Sequence, residues 1–248
     1  QSNAQNWDKF FTKAAEKYEE GDYRKAQKYI DKLKKKAAKK IGSDNGIIAN
    51  AYIQEAKIKV GLGTLIEAGQ LLDQALALNE TVNVDDPLEY GYIYKEAAQI
   101  MLMLGDCRTA ESYKEKAWVS LQQNDEAAAQ LKGEFDVMEA EILIGKGYYR
   151  QAIDLIDQLL PTPSPRSDSP EQVKRDYASL LILKANALRK MGDYLSSDSA
   201  FIYNSKWIED NLKKTDILYA ENALLNTLLL KENGLSLDAQ AELFGDAY

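Results

Sequence analysis

Histidine is absent from all 248 residues. This removes the commonest general base and the commonest metal ligand together. Cysteine occurs once, at Cys107, so no internal disulfide can form, and without an imidazole nearby the thiol has no base to activate it. Cys107 is therefore expected to be buried filler. Carboxylates are plentiful, with 39 Asp and Glu against 31 Lys and Arg, but they are scattered along helix-forming segments. No phosphate loop, paired-cysteine cluster or metal-ligand spacing is present. The sequence thus predicts no catalytic residue, no cofactor and no metal. An acid–base pair assembled from distant carboxylates is the one enzymatic arrangement left open.

Two further groups carry chemistry. Between Arg24 and Lys40 stand nine basic residues and one acid, Asp31. That segment carries +8, and the remainder of a chain of net charge −8 carries −16. The run Lys32, Lys34, Lys35, Lys36, Lys39 and Lys40 suits phosphate or an anionic membrane surface. A solvated helix end, where cations complement the macrodipole, is the simpler account. The acidic bulk and the lack of interleaved aromatics argue against nucleic acid. The second group is 15 tyrosines. Tyr23, Tyr149 and Tyr194 hold equivalent places in the repeat described next and are expected to pack. Tyr90, Tyr92 and Tyr148 are less constrained and could face a groove.

The elements that hold these residues follow from an internal repeat. The pattern Gly, any residue, Tyr or apolar, two residues, Ala runs from Gly21 to Ala26, Gly63 to Ala68, Gly105 to Ala110 and Gly147 to Ala152. A fifth copy runs from Gly192 to Ser197, with Ser for Ala, and a weaker sixth from Gly234 to Ala239. The glycines are 42 residues apart in four of five intervals and 45 in the other. That longer interval contains Pro161, Pro163, Pro165 and Pro170, a stretch read as a flexible connector. Seven residues before the glycines stand Ala14, Ala56, Ala98, Ala140, Ala185 and Thr227. Nine and twelve after three of them stand Ile30 and Leu33, Leu72 and Ala75, Ile156 and Leu159. Small residues let helices approach closely, and the later offsets share one helix face. Each glycine reads as a left-handed residue ending the first helix of a hairpin. The prediction is an all-α chain of about six hairpins, at approximately 6–41, 46–82, 87–123, 126–160, 171–212 and 216–248, with a Pro/Ser-rich loop at 161–170. No run is long and apolar enough to span a membrane. Gln1 to Ala4 resembles the scar of a cleavable tag and is set aside. The natural sequence is then expected to begin near Gln5, after a removed signal peptide or within a longer protein.

Small positions flanking a Gly-Asp-Tyr turn resemble the tetratricopeptide repeat, from Trp7 to about Ala241. The usual repeat is about 34 residues, so this long form is similar to the repeats of kinesin light chain and of bacterial peptide-pheromone regulators. Eight extra residues add roughly 12 Å of helix per hairpin. HEAT-type hairpins have a similar period but would not be expected to carry this turn. The resemblance implies a right-handed superhelical solenoid whose concave wall, built from first helices, binds a protein or peptide. The family's clamp for a C-terminal carboxylate is missing, since Phe11 and Ala15 stand at the matching positions of the first repeat.

On that wall the candidate partner-binding residues are Asn50, Lys57, Tyr92, Lys95, Gln99, Glu134, Glu141, Asn186 and Arg189, a mixture suited to a polar or charged peptide. Solvated helix faces are the plain alternative. Lys57 and Lys95 lead to the expectation of an acidic partner. The apolar stretch with Leu224, Leu225, Leu228 and Leu229 is expected to be covered by further protein or a second copy. The function expected is a protein-binding scaffold module of a larger bacterial signalling or regulatory protein. The alternative is an exported periplasmic or envelope assembly protein, and an enzyme is the third reading.

Overall fold

The computed structural model describes residues 4–83, 85–212 and 216–234. Among them are eleven helices and no strand: α1 (Ala4–Glu19), α2 (Tyr23–Ile41), α3 (Gly46–Gly61), α4 (Leu65–Val82), α5 (Pro87–Met103), α6 (Cys107–Leu121), α7 (Asp125–Gly145), α8 (Tyr149–Leu159), α9 (Glu171–Met191), α10 (Tyr194–Asn211) and α11 (Ile217–Glu232). None is long and apolar enough to cross a membrane. The second arm of the sixth expected hairpin, with Leu235 to Ala239, lies outside the described residues.

The glycine of each repeat ends a first helix. All six have positive φ, from +73° at Gly21 to +86° at Gly147 and Gly192, and no described non-glycine residue does. At the first turn the amide of Gly21 donates to the Tyr18 carbonyl and that of Asp22 to the Lys17 carbonyl. The same pair of bonds recurs at Gly63, Gly105, Gly147 and Gly192, satisfying carbonyls that a helix end would otherwise leave open. The next residue starts the following helix. Asp22, Asp106 and Asp193 accept the amides of Lys25, Thr109 and Ser196. A Gly-Asp dipeptide therefore caps both arms of a hairpin.

The small positions do what their size permits. Ala56, Ala98, Ala140 and Ala185, and their partners Ala26, Ala68, Ala110 and Ala152, are fully buried, and Ala14 nearly so. Ser197, the exception in sequence, is also fully buried, and its hydroxyl donates to the Ala185 carbonyl at 2.8 Å. The polar atom is accommodated because a backbone acceptor lies across the same close contact. Tyr23, Tyr149 and Tyr194 pack at the core margins, as expected.

The packed residues fall into two compact units, one ending at Phe135 and the other starting at Asp136, so that α7 contributes to both. In the first unit α1 packs on α2, α3 on α4 and α5 on α6, each second helix α2 and α4 also packs on the next first helix, and α1 touches α3 as α3 touches α5. In the second, α8 packs on α9, α9 on α10 and α10 on α11, and α9 touches α11. Neighbour-to-neighbour packing of this kind is that of a helical repeat.

One expectation needs correction, and hydrogen bonds add detail to two others. Cys107 is half-buried rather than buried, its thiol 3.8 Å from the Gly105 carbonyl. The Pro/Ser-rich segment is a bonded turn: the Arg166 amide donates to Ser169 Oγ, the Ser169 amide to the Arg166 carbonyl, and Lys174 Nζ to the Ser167 carbonyl. Tyr90 is half-buried and donates to Glu80 at 3.0 Å, tying α5 to α4. The equivalent pair ties α11 to α10, where Tyr219 donates to Glu209 at 3.0 Å. Of the apolar residues on α11, Leu229 and Leu230 are buried and Leu225 packs against the core, while Leu224 and Leu228 remain exposed.

Candidate functional site

First helices touch one another within each unit, so their uncovered sides form a polar face. In the first unit this face carries Asn50 and Lys57 on α3, Tyr92, Lys95 and Gln99 on α5, and Glu134 on α7. All but Lys95 and Glu134 are half-buried; Lys95 is buried and Glu134 exposed. Their charges are largely spent on each other. Lys57 pairs with Glu96, Lys95 pairs with Glu134 at 2.5 Å and lies 3.5 Å from Glu96, and Lys34 of α2 pairs with Glu55 of α3. Burial pulls the Lys95 ammonium down, but the Glu134 and Glu96 carboxylates outweigh it and hold the group above the usual lysine range. The lysines expected to attract an acidic partner are therefore already engaged.

The sequence reading missed Glu96, yet the signal was there. Lys57 and Glu96, like Lys95 and Glu134, are 39 residues apart. That is one repeat less three residues, the shift that puts a side chain nearly one turn earlier on the next first helix.

Between α1 and α3 the same face opens into a groove of about 240 Å³ lined by Ala14, Ala15, Tyr18, Glu19, Gln54, Lys57 and Ile58. Its origin is the small side chain of Ala15 in a place where the later first helices carry Lys57, Gln99, Glu141 and Asn186. Burial, then the neighbouring Tyr23, raises the Tyr18 hydroxyl above its ordinary value. Glu19 at the rim is exposed and makes no ion pair among the described residues. No family model matches this chain, and no curated protein matches its sequence.

In the second unit the face carries Glu141 on α7, Asn186 and Arg189 on α9, and Glu221 on α11. The Arg189 guanidinium is buried, pairs with Glu232 at 2.5 Å and donates to Asn186 Oδ1 at 3.2 and 2.9 Å. Glu141 makes no such pair among the described residues. Burial first, and the charge of Glu221 second, push its carboxyl from 4.5 up to about 7. Partial desolvation also raises Glu221, whose side chain still reaches solvent. The two come from first helices two hairpins apart, which no spacing rule brings together. Among the described residues no three potential ligands gather to hold a metal ion.

Proposed function

We propose that this chain is a protein- or peptide-binding module that holds its partner along the first-helix faces of its hairpins. The groove between α1 and α3 carries the reading: a concave, mixed polar and apolar site of about 240 Å³, large enough for a single side chain and bordered by an extended helix face. The resemblance of the repeated turn to the tetratricopeptide repeat supports the same use of the same face, and a larger bacterial signalling or regulatory protein is the context that resemblance favours.

The charges left over indicate the partner's sign. On both faces the cations Lys57, Lys95 and Arg189 have carboxylates beside them, whereas Glu19, Glu141 and Glu221 pair with no cation among the described residues. A peptide bearing Lys or Arg complements these faces better than an acidic one, because it compensates carboxylates now held without a counter-charge.

The test is to pan a displayed random-peptide library on the whole chain. Enriched peptides should be basic and should lose at least about tenfold in affinity, or about 1.4 kcal/mol, against Ala15→Trp, which fills the groove, or against Glu141→Lys. Enrichment that is indifferent to both substitutions, or none at all, rejects the reading.

A further inference from the structure

We propose that the outer side of α2 is an electrostatic docking ridge for an anionic lipid bilayer, separate from the first-helix face assigned to the protein partner. Ala26, Ile30, Leu33 and Ala37 bury one side of this helix. Arg24, Lys28, Lys32, Lys35 and Lys39 all fall on the opposite side, within about 80° of arc at 3.6 residues per turn, and all are exposed. They rise along about 22 Å of helix. Lys36 continues the ridge toward α1, its ammonium 4.7 Å from the Phe10 ring centre.

Two observations distinguish this ridge from an ordinary solvated face. The first is that its charge is not compensated. None of the six residues makes an ion pair among the described residues, although the chain has 39 acidic side chains. The helix's one acid, Asp31, accepts instead from Gln27 at 2.9 Å. Like charges three and four residues apart each weaken a helix slightly, so the arrangement works against folding. The second helices elsewhere in the unit do not share it; α4 has three acids and no base.

Shape and residue type choose the occupant. The cations stand on one exposed side of a single helix. The Tyr29 ring lies beneath Lys13 and Lys32, each about 6 Å from its centre, rather than standing free to stack on bases. Five of the six cations are lysine, whose point charge suits a diffuse layer of lipid phosphates better than bidentate recognition. Four to eight such residues on one helix face are enough to adsorb to an anionic leaflet.

The whole chain should co-sediment with phosphatidylcholine vesicles containing phosphatidylserine and not with phosphatidylcholine alone, and the binding should weaken as salt shortens the range of the attraction. Lys28→Gln/Lys35→Gln/Lys39→Gln should lower the partition coefficient by about a hundredfold, at about 1 kcal/mol per lysine. Arg150→Gln/Lys190→Gln/Lys206→Gln, neutralising three exposed cations elsewhere, should leave it unchanged. The α2 variant keeps its helical circular dichroism because no altered side chain enters the core, and it still binds the basic peptides described above. No binding to the charged vesicles overturns the proposal, as does equal loss in the two variants. Salt-sensitive self-association abolished only by the α2 variant would assign the ridge to a second copy and overturn it too.

Discussion

Lys95 and Glu134 meet at 2.5 Å across two first helices, and the two ends of this contact are unequally placed. Lys95 is 7% exposed, whereas the Glu134 side chain is half exposed. Removing the carboxylate therefore strands a buried ammonium beside Glu96 alone, while removing the ammonium returns Glu134 to water. Lys95→Met is expected to stay within about 1 kcal/mol of the parent, and Lys95→Glu, which crowds three carboxylates, to cost more than about 3 kcal/mol. Urea denaturation of the whole chain measures both; equal costs would contradict the assignment of the pair.

Glu141 makes stability depend on pH. Its carboxyl is raised from 4.5 to about 7, so between these values the folded chain holds a proton that the unfolded chain has lost. Stability should fall as pH rises through that window and level off above it. Glu141→Gln removes the ionisation. It is expected to stabilise the chain by about 2 kcal/mol at pH 8 and by nearly nothing at pH 4. Thermal melts of both proteins at the two pH values would show this, and a gain of equal size at both would contradict it.

Two helix-interior glycines should respond in opposite directions. A Cβ on Gly133 of α7 meets nothing within 4 Å, so Gly133→Ala should gain about 0.5–1 kcal/mol from lower backbone entropy in the unfolded chain. A Cβ on Gly91 of α5 would sit 2.5 Å from Leu121 Cγ and 3.2 Å from the Ala117 carbonyl. Leu121 is fully buried and has no room to retreat, so Gly91→Ala should cost about 1–3 kcal/mol. Paired denaturation curves test the contrast.

Ser197 tests whether the small position is about volume or polarity. Ser197→Ala restores the residue of the other copies and removes one donor, while the Ala185 carbonyl is left inside a helix. The expected cost is about 1 kcal/mol or less. Ser197→Leu forces bulk into a fully buried contact and should cost at least about 2 kcal/mol. A larger loss for Ala than for Leu would reverse the reading.

The helices were legible in the sequence because their causes are local. A glycine every 42 or, once, 45 residues ends one helix by adopting a positive φ that other residues avoid, and the aspartate after it in three copies starts the next. Alanines in step with those glycines mark where helices touch, since only a small side chain fits a buried close approach. The chain alone therefore determined the all-helical class and the order of the described helices. It also placed Asn50, Lys57, Tyr92, Lys95, Gln99, Glu134, Glu141, Asn186 and Arg189 on first helices.

Tertiary structure decided which of those side chains are free to act. The pairing of Lys57 with Glu96 and of Arg189 with Glu232 depends on how far one first helix is shifted against the next, and no single hairpin contains that shift. The influence of Glu221 on Glu141 comes from a first helix two hairpins further along the chain. Whether an exposed-looking polar residue is already satisfied is a property of distances between elements, since solvent and salt largely screen exposed charges beyond about 10 Å. Local patterning therefore fixed the scaffold, while packing alone determined that the cations on its first-helix faces are engaged and the groove beside Ala15 is open.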